Sequence, residues 1–320
     1  MSRALLTFRI HRFEAVVLAI LAAAVLGAAG GLWLRLLAFN LPASCFFNGD
    51  QFDPGCAARQ LEVNDYFALA GDIGMYVVLA IVILPFALGL IFGVAIVSKE
   101  IERGTAAFAW SIAPSRRRWL LGVALPAFLA VLGTSIVAGL LSDRLELVRD
   151  PSMDPARTLH HVGLRGVAIP AYAIAAFGIA LAVGARLGRV LPALLLAGAL
   201  SIASVVGGTF AVDAMLDGEF IPVEESQMLE TRAFSAGRVF DTQILTPDGE
   251  LIPWGTAYER FGEAIYPENL AYDPAYRTFY LVTPGDLYPI AEWRFAVILG
   301  AIGLGGIVLA FAIVERRRPT

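Results

Sequence analysis

The sequence predicts an all-α integral membrane protein. It has six transmembrane helices, a short cytoplasmic helix in one connecting loop, and a larger mixed extracytoplasmic segment between spans 5 and 6. Three observations predict it. Charged residues make up only 16% of the 320 and hydrophobic ones 58%, whereas a soluble domain carries about 25% charged residues. The apolar residues gather in six runs, each long enough to cross roughly 30 Å of hydrocarbon as a helix. Basic residues between the runs fall mostly in alternate segments, the pattern that Lys and Arg impose on membrane insertion.

Met1–Phe13 mixes Arg3, Arg9, His11 and Arg12 with Leu5, Leu6, Phe8, Ile10 and Phe13. That suits either a helix lying in the cytoplasmic interface or a basic tail that sets orientation. Span 1 runs near Glu14–Leu37. Its apolar run exceeds the roughly 7–15 residues of a secretory signal core, so it reads as a retained helix. Gly27 and Gly31 lie one turn apart, a spacing that admits a second helix closely or is simply ordinary membrane-helix glycine. Ala38–Gly71 is an outer loop with Asp50, Asp53, Glu62 and Asp65 against a single Arg59. Cys45 and Cys56 both fall in it, where an oxidising compartment favours a structural disulfide over two free thiols.

Span 2 follows near Asp72–Val97, with Pro85 expected to kink it and Gly89 and Gly93 forming another small-residue face. Span 3 runs near Trp119–Leu141, with Pro126 inside. Ser142–Arg165 is polar and is broken by Asp150-Pro151 and Asp154-Pro155. His160 and His161 are adjacent there, so their side chains point apart and do not make a two-ligand metal site. Span 4 runs near Gly166–Ala185, and Arg186–Arg189 is a tight basic turn before span 5 near Val190–Val212. Asp213–Ala291 is acidic and rich in Tyr, Phe and Pro. In it Phe240–Leu245 and Glu250–Trp254 flank the turn Thr246–Gly249, which predicts a β-hairpin, with short helices leaning on the bilayer elsewhere. Span 6 runs near Glu292–Val314, and Glu315–Arg318 is a basic cytoplasmic stop.

The chain divides accordingly into a transmembrane domain over 1–212, an extracytoplasmic segment over 213–291, and the last span with its basic tail over 292–320. Six spans place both termini on one side. The four segments assigned inside, the shorter ones, hold thirteen of the 24 Lys and Arg but four of the 28 Asp and Glu. Both termini are therefore expected in the cytoplasm of a multi-pass plasma-membrane protein. No charge sits clearly at the centre of a span, which weakens an ion-driven transporter and an intramembrane enzyme alike. Arg35, Asp143, Asp213 and Glu292 fall near outer span ends and read as interface residues.

The stretch Ser98–Trp119 organises the rest. It opens with Lys99, Glu100, Glu102 and Arg103, closes with Arg116, Arg117 and Arg118, and carries Phe108 and Trp110 in a small apolar middle over Thr105–Ile112. A short helix with charged ends and an aromatic surface suits docking into a groove on a soluble partner. Taken singly, the parts also have plainer readings. Arg116–Arg118 suits an anchor on anionic lipid, Gly104 a helix stop, and Pro114 the start of the next helix.

Glu100, Ile101, Glu102, Arg103, Gly104 and Thr105, then Ser111, Pro114, Ser115 and Arg116, then Trp119, Leu120, Leu121 and Gly122 resemble a loop of ABC-transporter permeases of the type-2 exporter superfamily. The resemblance covers about a seventh of the chain. That family often has one more residue between the Pro and the Ser-Arg pair, and a Lys where this chain has Val123. In the family this loop, after the second membrane helix, carries a coupling helix that docks on a separate ATPase subunit. The resemblance implies that Glu100, Glu102, Arg103, Gly104, Thr105, Phe108, Trp110, Ser111, Pro114, Ser115 and Arg116 meet that subunit. It further implies a second permease copy or paralogue as partner, an interfacial helix at the N-terminus, and ATP and Mg held by the ATPase rather than by this chain.

The chain has no phosphate-binding Gly-x-x-x-x-Gly-Lys-Ser/Thr loop, no His-Glu-x-x-His, no Gly-x-Ser-x-Gly and no Cys-x-x-Cys. It is read as a non-enzymatic permease subunit of an ATP-driven exporter, with the bilayer as a further partner and no nucleic acid. Two rivals stand beside it. One is a non-transporting membrane protein whose extracytoplasmic segment binds a partner. The other is a membrane enzyme using Glu224 and Glu225, residues that equally suit a solvated acidic loop.

Overall fold

The computed structural model describes residues 12–46, 54–151, 157–159, 162–225, 238–265 and 273–317. The chain forms two compact units, one of residues 1–152, 163–210 and 292–320, the other of residues 153–162 and 211–291. The expected interfacial helix at Met1–Phe13 lies, up to residue 11, outside the described residues, as do His160 and His161.

The first unit is helical. It contains α1 (Arg12–Ala38), the short α2 (Pro54–Ala57), α3 (Gln60–Ala68), α4 (Gly74–Glu102), α5 (Ala106–Ile112), α6 (Arg116–Arg149) and α7 (Ala168–Leu187). Most of α8 (Val190–Leu216) and of α10 (Tyr288–Arg316) belongs to it too. Among the described residues six helices are long and apolar enough to cross a membrane. Large apolar side chains on their surfaces, such as Ile20, Leu129, Leu195 and Val308, are exposed, as a helix facing lipid requires.

The helix α7 is the enclosed one. Its apolar stretch is 78% buried, and Ala176, Ala180 and Ala185 are completely so. Small residues let neighbouring backbones approach it. A Cβ at Gly89 of α4 would sit 2.7 Å from the Ala173 carbonyl oxygen, and one at Gly93 would sit 2.6 Å from that of Phe177. On another side, Gly178 of α7 meets the backbone of Gly303, and Gly306 of α10 meets Gly178. By contrast, a Cβ at Gly27 or Gly31 would find nothing within 4 Å among the described residues, so their spacing serves no close helix approach there.

The second span begins twelve residues earlier than the sequence reading placed it, at Gln60 rather than Asp72. α3 and α4 form one helix through a π-helical turn at Leu69–Ile73. Val63, Tyr66, Ala70, Gly74 and Val78 line its buried side, while Glu62, Asp65 and Asp72 point outward. Those outward charges made the segment look like loop. The wide turn presents the Ala70 carbonyl to Arg149 Nε at 2.8 Å. Arg149 also pairs with Glu146 at 3.0 Å, and the Tyr66 hydroxyl donates to the Val148 carbonyl. Gly74 makes room, since a Cβ there would lie 2.6 Å from Arg149 Nε. Continuous helix also runs through Pro85 and Pro126.

Cys45 and Cys56 are joined, with Cα atoms 5.5 Å apart. Arg59 adds a clasp by donating to the Phe39 carbonyl at 2.9 Å and the Asn40 carbonyl at 3.3 Å, the end of α1. Closing a loop of this length removes roughly 3 kcal/mol of unfolded-state entropy. Reduction, or the double substitution Cys45→Ser/Cys56→Ser, is expected to lower the detergent-phase melting temperature, and a comparison with and without reductant checks it.

Glu292 departs from the sequence reading. It is not an interface residue, because only 4% of it is exposed. Its Oε1 accepts from the Ala168 N–H and its Oε2 from the Gly163 N–H, both at 3.2 Å. The Ala168 N–H at the start of α7 has no acceptor within the helix and is shared between Glu292 of α10 and the Arg165 carbonyl at 3.3 Å, while Glu292 also serves the Gly163 N–H of the preceding turn. Arg165, also 4% exposed, supplies positive charge to the nearby Asp143.

The second unit carries a four-stranded antiparallel sheet of β1 (Ile221–Glu224), β2 (Arg238–Leu245), β3 (Leu251–Pro253) and β4 (Arg277–Thr283), in the order β1-β4-β2-β3. The expected hairpin is β2–β3, with Leu245 opposite Leu251. The second strand stops at Pro253, and Trp254 instead opens α9 (Trp254–Phe261). This helix packs Ala257 against Ile244, Ile252 and Ile265, so its apolar side is used on the sheet rather than on a bilayer. Burial, and then the Glu225 carboxylate, push the Tyr280 phenol above its ordinary pKa. It therefore stays protonated and donates to Glu225 Oε1 at 3.4 Å.

Candidate functional site

In the connector between α4 and α6, three residues, 103–105, lead from α4 into α5. Gly104 takes φ +71°, a left-handed conformation that ends α4 and that a side chain would strain. Its N–H reaches the Ile101 carbonyl and the Thr105 N–H reaches the Glu100 carbonyl, both at 3.0 Å. The Thr105 hydroxyl donates to Glu100 Oε2 at 2.6 Å. Glu100, Gly104 and Thr105 thus build one turn.

The helix α5 then runs for seven residues. Ala113 is extended, as the residue before Pro114 must be, and Ser115 caps α6 by accepting the Arg118 N–H at 3.2 Å. Ala106 and Trp110, four residues apart, face inward. Trp110 meets Trp119 edge-on with centroids 6.1 Å apart, and the Arg116 guanidinium lies 5.0 Å from its ring. Phe108 points the other way and is 70% exposed. Arg103, Thr105, Ser111, Pro114 and Ser115 are exposed with it, while Glu100 is half-buried. Of the two aromatics in the segment, one therefore anchors the connector and the other is offered to the surroundings.

Of the charged residues expected to meet the partner, Glu102 and Arg116 reach other helices of the chain. Glu102, though exposed, accepts the Val190 N–H of α8 through Oε2 at 2.9 Å. Arg116 donates from Nη1 to the carbonyls of Glu315 at 3.0 Å and Arg317 at 2.5 Å, at the end of α10. Sequence reading missed three further participants. Arg117 pairs with Glu315 at 2.6 Å. Arg317 donates to the carbonyls of Ala185 at 2.5 Å and Arg186 at 3.0 Å, the end of α7. Gly188, at φ +67°, leaves space for Ile101 and Arg317. The tail and the Arg186–Arg189 turn were legible only as basic ends of spans, and no local pattern indicates that one reaches the other. Among the described residues no cluster of three or more His, Cys, Asp or Glu could hold a metal ion.

Six helices long and apolar enough to cross a membrane, with the short α5 packed through Trp110 on Trp119 and Arg116, make an integral membrane protein. The chain belongs to the family described as ABC-2 membrane transporter related, whose model matches residues 15–212 and so takes in the connector and most of the spans. It is accordingly a multi-pass membrane protein and a transporter permease, of a kind that associates with an ATPase subunit. Neither curated proteins nor solved structures gave a match.

Proposed function

We propose that this chain is the permease subunit of an ATP-driven exporter and that α5 is its coupling helix. The connector faces the cytoplasm with both termini, in the plasma membrane, and docks on a separate ATPase that holds ATP and Mg. A second copy or a paralogue completes the pair of permeases. The exposed Phe108 on a connector where Arg103 and Ser111 are also exposed, in a chain of this family, is the observation that supports the reading best. An aromatic side chain can fill a pocket on the partner, and the charges around it select which partner is accepted.

Two variants separate docking from coupling. Phe108→Ala removes the anchor and is expected to weaken retention of the ATPase by about thirtyfold, the effect of losing roughly 2 kcal/mol at a binding hot spot. The combined variant Glu100→Gln/Gly104→Val keeps the anchor but disturbs the turn. It is expected to hold the ATPase and hydrolyse ATP while the spans no longer respond to trapping with ATP and vanadate. Co-purification and hydrogen exchange on the complex read the two effects. Full retention with Phe108→Ala, together with undiminished coupling in the other variant, rules out the docking role.

A further inference from the structure

The connector is tied to three span ends that are remote from it in sequence, and the ties run in series. Arg116, the first residue of α6, holds the last carbonyls of α10 and stands over Trp110 of α5. Arg317, whose own carbonyl takes one of those bonds, follows the end of α10 and holds the Ala185 and Arg186 carbonyls of α7. Both guanidiniums sit at helix C-termini, where unpaired carbonyls and the helix dipole favour a cation. A guanidinium presents several donors in a rigid plane, so each arginine fixes position as well as charge. The α7–α8 turn is closed around the second tie, since a Cβ at Gly188 would lie 2.8 Å from Arg317 Nη2 and 2.6 Å from Ile101 Cγ2. Glu102 fastens the start of α8 to the end of α4 by the same logic with the charge reversed.

The span reached by this route is α7, which packs through backbone contacts on both α4 and α10. A displacement delivered to its end is passed on to two neighbours. Apolar packing joins the same ends less directionally, because Ala106 and Trp110 share a buried cluster with Leu181, Ala182 and Ala185 of α7 as well as Ala310 and Val314 of α10; the arginine ties add fixed donors to it.

We propose that Arg116 and Arg317 are positioning residues that form a relay, carrying movement of the coupling helix through the C-terminal tail to the end of α7. This rests on the docking reading above and adds the path inside the permease. The tail then acts as a working part and not as a topogenic stop.

Hydrogen exchange at residues 106–112 and 184–188 tests it, on the full chain in nanodiscs with its co-purified ATPase, with and without ATP and vanadate. In the unaltered complex both segments are expected to respond. Arg317→Ala is expected to preserve the response at 106–112 and clearly reduce it at 184–188, and Arg317→Lys to restore part of it through a single ammonium donor. Arg117→Ala removes an exposed pair of little energetic weight and is expected to behave as the unaltered chain. A response at 184–188 of full size in Arg317→Ala overturns the relay, as does its loss in Arg117→Ala to the same degree. If 106–112 fails to respond in the unaltered complex, the docking reading itself falls and the relay with it. A second arm needs no ATPase. Arg116→Ala touches no α7 group, yet it is expected to speed exchange at 184–188 about fivefold, the low end of an intersite coupling. Unchanged exchange there counts against the relay even if the complex is lost.

Discussion

Gly303→Leu is expected to destabilise the protein by about 3 kcal/mol or more, at the upper end of overpacking effects. A Cβ at this position falls on the backbone of Ile174 and Ala175 in α7. Backbone cannot change rotamer, so the two helices must separate. Gly306 and Gly178 form the same contact, and α7 would lose its seat on α10 along more than one turn. The melting temperature in detergent should fall by roughly 10 °C. Gly300 and Gly305 lie on the same helix with nothing within 4 Å of a Cβ, so Gly300→Ala and Gly305→Ala should leave it nearly unchanged. Equal losses in all three variants would show that helix propensity, not close approach, governs this face.

Glu292→Ala should have the next largest effect. The carboxylate serves the Gly163 and Ala168 amides from a buried position. Truncation leaves the Gly163 donor unserved, at about 1–3 kcal/mol, leaves the Ala168 N–H with only the Arg165 carbonyl at 3.3 Å, and removes a negative charge close to Gly166 and the α7 N-terminus. Glu292→Gln keeps one acceptor oxygen but turns an amide NH2 toward the other donor, so it should lose less than alanine and more than the parent. A thermal series of glutamate, glutamine and alanine checks the order. If glutamine proves as stable as glutamate, shape rather than charge fills this place.

The contrast between these two positions shows what the sequence made legible. All six spans could be read from apolar length, because the bilayer demands it of any chain that crosses. The hairpin could be read from Thr246, Pro247, Asp248 and Gly249. The disulfide could be read from its compartment. The start of the second span could not, since Glu62 and Asp65 look like loop until Val63 and Tyr66 are seen to share one face. Glycine spacing alone did not separate Gly89 and Gly93, which approach α7 closely, from Gly27 and Gly31, beside which a Cβ would meet nothing within 4 Å among the described residues. That distinction depends on which helix lies opposite. In the connector, Gly104 and Pro114 announced the turns, but a single sequence carried no signal for the direction of Trp110 against Phe108. The reach of Arg317 to Ala185 joins residues 132 apart in sequence, beyond any local pattern.

The wide turn at Leu69–Ile73 also has a bearing on how this protein tolerates changes of length. Each residue of an α-helix advances the winding by about 100°, and the wide turn absorbs one extra residue, so that Val63 and Tyr66 before it share the inward face of Gly74 and Val78 after it. Deleting one residue from that turn would regularise the winding and keep that face inward, but it would withdraw the Ala70 carbonyl from Arg149. The leading third is thus buffered against the loss of one residue at this point, at the cost of that bond.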